Sequence, residues 1–260
     1  MASFAMHYIA GEKFLESLDC DIDDFDRNNF RLGNLVVDTM GITNYDRDEK
    51  LKRKLITHFR NIEDDDKCIQ IPNVDRFRNK YRNLIDNDYS ALGYLFHLYT
   101  DKIFFEFLYR DVIKTLDKDM KQTNIKKDGV YVKVLKNNKI FNINDFYSGS
   151  NIGGLYRDYS NMNKYLINKY NIRFDYEELK NFSNNSFRNP GIEEIDYNNI
   201  YEVIDKMDII FKESFGSKED SLEVFDINDI ETFISETVDG FNKRYGDDIK
   251  KLIKDRWLDV

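Results

Sequence analysis

The chain has only three histidines, His7, His58 and His97, and none lies in an obviously polar stretch. Asp101 follows His97 by four residues in the apolar segment GYLFHLYTDKIFF, whose pattern predicts a helix. Residues four apart share one helical face, so the imidazole and the carboxylate can bind one cation together. Asp38 is a second carboxylate at the end of an apolar run, and a buried charge is costly without a cation or a partner. The pattern indicates a metal site, with a hydrogen-bonded His/Asp network in the core as the competing interpretation.

Imidazole nitrogens and carboxylate oxygens suit zinc and similar divalent ions, whereas calcium and magnesium normally recruit oxygen ligands alone. Asp38, His58, His97 and Asp101 supply four ligands for one ion, and His7 remains available to a second. Such a metal lowers the pKa of bound water towards neutrality, and two ions bridged by one carboxylate steady the attacking and leaving oxygens of a phosphoester. We therefore predict one or two Zn²⁺ ions, or another divalent transition metal, and hydrolysis as the reaction class.

Two predicted helices position the first pair of candidate ligands. Ser3 is a suitable N-cap for a helix that carries His7 on its apolar stripe. Asp24 or Asp26 is expected to cap the second helix, which delivers Asp38 directly after the run Leu-Val-Val. Both side chains are thereby predicted to point towards the core.

The other candidate ligands lie further along the chain. His58 stands where apolar character returns after a charged stretch, so it is either a ligand at a helix end or a buried structural histidine. A long helix from residue 89 to about Leu116, capped by Asp88, carries His97 and Asp101. This helix is predicted to form the centre of the fold.

Apolar spacing close to 3.6 residues over most of the chain predicts an all-α fold, with two prolines and twelve glycines leaving room for long helices. One small β-hairpin is expected from alternation at 130–134, a turn of two asparagines and a short run at 140–141. We expect a single helical domain over 1–260, in which 1–116 carries the ligands and 130–260 completes the core and a pocket.

Composition restricts the partners of the chain. A formal net charge of -9 disfavours binding along a nucleic-acid backbone, which depends on neutralising phosphates. Cys20 and Cys68 show neither metal spacing nor a disulfide framework, so reduced thiols and a cytoplasmic location are expected. No signal peptide and no apolar stretch long enough for a transmembrane segment is recognised. A monomer or a small homo-oligomer is predicted.

Four segments carry a resemblance to a known family. They are HYIAGEK at 7–13, LGNLVVD at 32–38, THF at 57–59 and GYLFHLYTD at 93–101. In type and order of candidate ligands they resemble the small bacterial members of the zinc-dependent phospholipase C family, which is related to fungal single-strand nucleases. The resemblance covers roughly residues 4–110.

The resemblance implies an all-α phospholipase C or single-strand nuclease fold and phosphoester hydrolysis by a metal-activated water. It further implies that Asp38, His58, His97 and Asp101 surround one metal, and that Asp101 bridges to a second metal bound by His7. Asp38 and Asp101 are the implied catalytic carboxylates, and a small phosphoester or a phospholipid head group is the implied substrate. No histidine follows His97, so a third metal bound in the family's manner is not expected.

Alternatives from other classes remain. An HD-type phosphohydrolase requires an adjacent His-Asp pair, which the chain lacks. A non-catalytic helical module that binds a metal or a partner, derived from such an enzyme, would fit a ligand set with no histidine beyond His97. Arg157, Asp158 and Lys164 are candidates for contacting a phosphate, or they lie on a solvated helical face.

Overall fold

The computed structural model describes residues 2–18, 20–39, 46–148 and 154–257. Helices account for 64% of the structure, so the predicted mainly helical fold is confirmed. The α-helices are α1 (Phe4–Ser17), α2 (Asp24–Val36), α3 (Arg47–Thr57), α4 (Val74–Lys80), α5 (Arg82–Ile85), α6 (Tyr89–Phe107), α7 (Ile143–Phe146), α8 (Leu155–Tyr170), α9 (Tyr176–Asn185), α10 (Ile200–Ser214) and α11 (Ile227–Trp257). The strands are β1 (Ile113–Leu116), β2 (Tyr131–Val134) and β3 (Ile140–Asn142).

Side-chain caps fix the starts of the helices that carry candidate ligands. The Ser3 hydroxyl accepts the N–H of Met6 at 3.2 Å, and the Asp88 carboxylate accepts two N–H groups at the start of α6, as predicted. The predicted cap of α2 is wrong. The N-cap is Asp23, which accepts the N–H of Asp26 at 2.8 Å, whereas Asp24 lies inside the helix. Several neighbouring aspartates can cap this helix, and the path of the incoming chain selects among them.

Helices α2 and α6 cross with their backbones in direct contact. A Cβ atom added to Gly33 would lie 2.0 Å from the carbonyl oxygen of Ser90, and one added to Gly93 would lie 2.2 Å from the carbonyl oxygen of Phe30. Neither position has space for any side chain. This close approach sets the distance between the end of α2, which precedes Asp38, and the middle of α6.

Substitution of Gly93 by alanine is expected to lower the free energy of unfolding by about 3 kcal/mol or more, because the helices must separate to admit the methyl group. Urea denaturation measures the change. Gly246→Ala in α11 is the matched control, since no atom lies within 4 Å of its added Cβ. The control should gain about 0.5–1 kcal/mol because alanine replaces glycine inside a helix. Equal stability of G93A and the wild type would contradict the packing argument.

The small sheet differs in one respect from the predicted hairpin. Strands β2 and β3 form the expected antiparallel pair, and β1 adds a third strand that pairs with β2. The predicted helix to Leu116 is therefore wrong at its end: α6 stops at Phe107, a π-helical turn covers Leu108–Val112, and β1 follows. The β-branched Ile113 and Thr115 point inward in β1. They pair with Val134 and Val132, and the hydrogen bonds of this sheet replace helical ones.

One buried cluster joins the beginning and the end of the chain. Rings of Phe14, Phe30, Phe96 and Phe241, from α1, α2, α6 and α11, meet at centroid distances of 4.9–5.6 Å. Helix α11 thus packs on α1 and α6, which carry His7, His97 and Asp101. Among the described residues, no helix combines the length and apolar character needed to cross a bilayer.

Candidate metal centre

All five sequence-predicted ligands meet in one buried place. His7 comes from α1, Asp38 follows α2, His58 ends α3, and His97 and Asp101 lie one turn apart on α6. Their exposed fractions are 1%, 2%, 0%, 1% and 0%, respectively. The tight crossing of α2 on α6 and the packing of α1 against both bring residues 94 positions apart in sequence into one cluster.

Three short approaches define the cluster. His7 Nε2 lies 3.3 Å from Asp101 Oδ1, His58 Nε2 lies 3.4 Å from Asp38 Oδ1, and His58 Nε2 lies 3.6 Å from Asp101 Oδ2. The rings of His7 and His97 stack at 3.8 Å with an angle of 5° between their planes.

Two groups of three have their ligand atoms within 4.8 Å of one another. The first group is His7, His97 and Asp101, and the second is Asp38, His58 and His97. Each group has the composition and spacing to hold a metal ion, as the sequence predicted for these residues taken together.

Many polar atoms facing this cluster lack a hydrogen-bond partner among the described residues. They are His7 Nδ1, His7 Nε2, His58 Nε2, His97 Nε2, Asp38 Oδ1 and Asp101 Oδ2. Buried polar atoms are almost always paired, and each unpaired one costs about 1–3 kcal/mol. A concentration of unpaired nitrogens and carboxylate oxygens at one point is what a cation would compensate. The residues therefore fit a bound divalent metal.

Outer contacts orient the imidazoles. The carbonyl of Asn34 lies 2.7 Å from His97 Nδ1, and because a carbonyl only accepts, Nδ1 carries the proton and Nε2 offers its lone pair. His58 Nδ1 lies 2.9 Å from the Thr57 hydroxyl, which leaves its Nε2 facing the cluster. The Asn34 amide also donates to the carbonyl of His7 at 2.7 Å. Asn34 thus links the helices that carry two ligands.

The protonation state of the cluster at neutral pH favours metal binding. Burial lowers the pKa of His97 to about 3 and also lowers the pKa of His58, because desolvation disfavours a charged imidazole. Burial opposes ionisation of Asp38 and Asp101, yet the pKa of both carboxyls lies below the usual range. At Asp38 a hydrogen bond with His58 is the main opposing cause, and at Asp101 it is the positive charge of the amino terminus, followed by a hydrogen bond with His7. Neutral imidazoles and ionised carboxylates at neutral pH are the forms that bind a metal without losing a proton.

The geometry constrains how two ions would share these ligands. His97 belongs to both groups, but its Nδ1 is committed to Asn34, so its single free nitrogen can bind only one ion. Asp101 has two oxygens that face different partners, Oδ1 towards His7 and Oδ2 towards His58. The side chain that could bind two ions at once is therefore Asp101 rather than His97. The Ala2 N–H donates to Asp101 Oδ1 at 2.8 Å and helps to fix the carboxylate plane.

Sequence reasoning missed two residues near the cluster. Asn34 precedes Asp38 by four residues, and this helical spacing was the available signal. Arg60 follows His58 by two residues, and nothing in the local pattern distinguishes it from the surrounding charges. Asp158, considered for phosphate contact, is fully buried and accepts the N–H groups of residues 223–225, so it fixes a loop.

No family model, curated protein or solved structure matches the chain.

Proposed function

We propose that the chain is a zinc-dependent phosphoester hydrolase of the phospholipase C type. The observation that carries the proposal is the convergence of His7, Asp38, His58, His97 and Asp101, with unpaired ligand atoms, in a buried cluster. The order and spacing of these residues also resemble that family. Mixed nitrogen and oxygen ligands favour zinc or a similar transition ion over calcium and magnesium.

Charge supports an anionic substrate. Two divalent ions carry more positive charge than Asp38 and Asp101 neutralise, and the lowered pKa values of His58 and His97 keep these two imidazoles neutral. The centre would then have a net positive charge in a buried setting, which a phosphoryl group can balance. Small phosphoesters and phospholipid head groups are the candidate substrates, since the overall charge of -9 disfavours long nucleic acids.

The chain's own residues would divide the work as follows. A bound zinc would supply Lewis acidity and a water of lowered pKa. Asp101 holds the two halves of the centre at a fixed separation because each oxygen faces a different histidine. Asp38 approaches the same nitrogen of His58 as Asp101 does and helps keep that imidazole aimed at the centre. Asn34 and Thr57 hold the ring orientations, so the site needs little rearrangement on binding.

A non-catalytic metal-binding protein is the second candidate function. The observation in its favour is that none of the five residues is more than 2% exposed, as in a metal site that serves only to stabilise a fold. A structural zinc has a closed coordination shell, whereas a catalytic one keeps a position for water or substrate.

Hydrolysis separates the two functions. Zinc-loaded protein is expected to hydrolyse 4-nitrophenyl phosphate or bis(4-nitrophenyl) phosphate, to lose activity with a chelator and to regain it with zinc. Asp38→Asn should lower kcat/KM about 10–100-fold, because loss of a group that orients a metal ligand typically costs that much. Asp21→Asn, which removes an exposed carboxylate, should leave activity unchanged.

Protein that carries zinc but shows no turnover over a broad phosphoester panel would support the non-catalytic function. Turnover that persists after complete metal removal would contradict both candidate functions. Release of nitrophenol by the D38N variant at the wild-type rate would show that Asp38 is not part of the site.

A further inference from the structure

A sharp turn after His58 places Arg60 close enough to the cluster for the charges of Asp101 and Asp38 to act on it. Helix α3 ends at His58, the N–H of Phe59 donates to the carbonyl of Ile56, and the N–H of Arg60 donates to the carbonyl of Leu55. This is a Schellman turn, and Phe59 takes its left-handed position with a φ of 51°. Glycine is usual there, so the strained phenylalanine indicates that its position matters. The turn reverses the chain directly after a candidate ligand.

The Phe59 ring holds the turn in place. It is 3% exposed and packs edge-on against the rings of Phe77, Tyr81 and Tyr94. The main chain beyond the turn is also fixed, because the carbonyl of Arg60 accepts the guanidinium of Arg76 at 3.2 Å. Arg60 is therefore presented from a rigid backbone.

The side chain of Arg60 extends along the same face of α6 that carries Asp101. Its guanidinium lies over the ring of Phe105 at 5.5 Å, and Phe105 is four residues after Asp101. Residues at that spacing lie one turn apart on one face. Asp101 is fully buried, whereas Phe105 and Arg60 are partly exposed, so this stripe leads from the metal centre towards solvent.

The guanidinium has spare hydrogen-bonding capacity. One terminal nitrogen donates to Gln70 Oε1 at 3.3 Å, while the buried Nε has no hydrogen-bond partner. In the part of the chain that the structure describes, no carboxylate lies within ion-pair distance of Arg60, and the charges of Asp101 and Asp38 act on it from farther away. A permanently charged, partly buried guanidinium with no carboxylate in direct contact is costly, and its planar fork matches two oxygens of a phosphoryl group.

We propose that Arg60 binds the non-bridging oxygens of the phosphoryl group of a ligand at the metal centre, and so selects phosphorylated ligands. This inference rests on the proposed phosphoester function and names the residue that recognises the anion. Gln70 positions the fork: its amide nitrogen donates to the carbonyl and the carboxylate of Asp65, which leaves Oε1 for Arg60.

Binding of inorganic phosphate to zinc-loaded protein tests the inference by calorimetry. Arg60→Gln should weaken phosphate binding at least about tenfold without changing zinc content, because it removes a bidentate charged contact. Arg60→Lys should recover part of the affinity, since it restores the charge but not the fork. Arg82→Gln is the matched control: it removes an exposed arginine of α5, and phosphate affinity should stay within about twofold of the wild type.

Two further arms use glycerol 1-phosphate and vesicles of phosphatidylglycerol, which separate a small soluble phosphoester from a lipid head group. Loss of binding in R60Q, with either glycerol 1-phosphate or the vesicles, supports the inference. Phosphate affinity unchanged in a folded, zinc-loaded R60Q variant overturns it, as does an equal loss in R82Q.

If R60Q fails to fold, R60K decides the question, because wild-type affinity in that variant contradicts a role for the fork. Zinc-loaded wild type that binds no phosphate also overturns the inference. Phosphate binding that depends on Arg60 but without turnover would support the inference while refuting hydrolysis. Turnover that R60Q does not change would support hydrolysis while refuting the inference about Arg60.

Discussion

Asp101→Asn is expected to bind neither metal ion, whereas His7→Ala should keep one. The reason is the position of the carboxylate: Oδ1 faces His7 and Oδ2 faces His58, so both halves of the centre depend on it. The amide of asparagine is uncharged, and its nitrogen cannot act as a ligand. His7 contacts Asp101 and stacks on His97 but does not belong to the group of Asp38, His58 and His97, so its loss leaves that group in place.

Elemental analysis of the purified variants, after incubation with zinc and removal of excess, measures the stoichiometry. Affinity should fall at least about 100-fold in D101N for both ions. Glu106→Gln, on the same helix but paired with Lys102 away from the cluster, is the matched control and should bind as much zinc as the wild type. Wild-type zinc content in D101N would refute the bridging role, and equal losses in D101N and H7A would refute the division of ligands.

Zinc is expected to raise the Tm of the wild-type protein by about 10 °C. A ligand that binds only the folded state at 1,000 times its Kd stabilises by about 4 kcal/mol, and each kcal/mol shifts Tm by about 2–4 °C in a chain of roughly this size. The effect should be large here because zinc would also pair polar atoms that are buried without partners, such as Asp38 Oδ1 and His97 Nε2.

Thermal unfolding with a chelator, and then with excess zinc, measures the shift. The D101N variant should not respond to zinc. Its apo form should be at least as stable as the wild-type apo form, because the substitution removes a buried charge from a cluster with two carboxylates. A wild-type Tm that is the same with chelator and with zinc would indicate a hydrogen-bonded network in place of a metal centre.

Local sequence determined the helices and one ligand pair. Ser3 and Asp88 cap α1 and α6 because a hydroxyl or carboxylate at that position satisfies the first free N–H groups, whatever the rest of the chain does. The spacing of His97 and Asp101 fixed their common face, since helical geometry depends only on neighbours along the chain. These features needed no knowledge of tertiary contacts.

Other features followed from contacts between distant segments. Residues 113–116 form a strand because β2 pairs with them, and that partner is invisible to local periodicity. The cap of α2 is Asp23 because the path of the chain entering the helix decides among several aspartates that are chemically equivalent.

The site itself was decided by tertiary structure. The sequence contained the five candidate ligands, but the distances between them depend on how closely α2 approaches α6. The contacts of Gly33 and Gly93 set that approach. The role of Asn34 follows from its carbonyl, a group that every residue has and that only packing can aim at His97. Arg60 gained its position from the left-handed turn at Phe59, where burial of an aromatic ring outweighs backbone strain. Residue type specifies which atoms can bind, whereas long-range packing determines which of them meet.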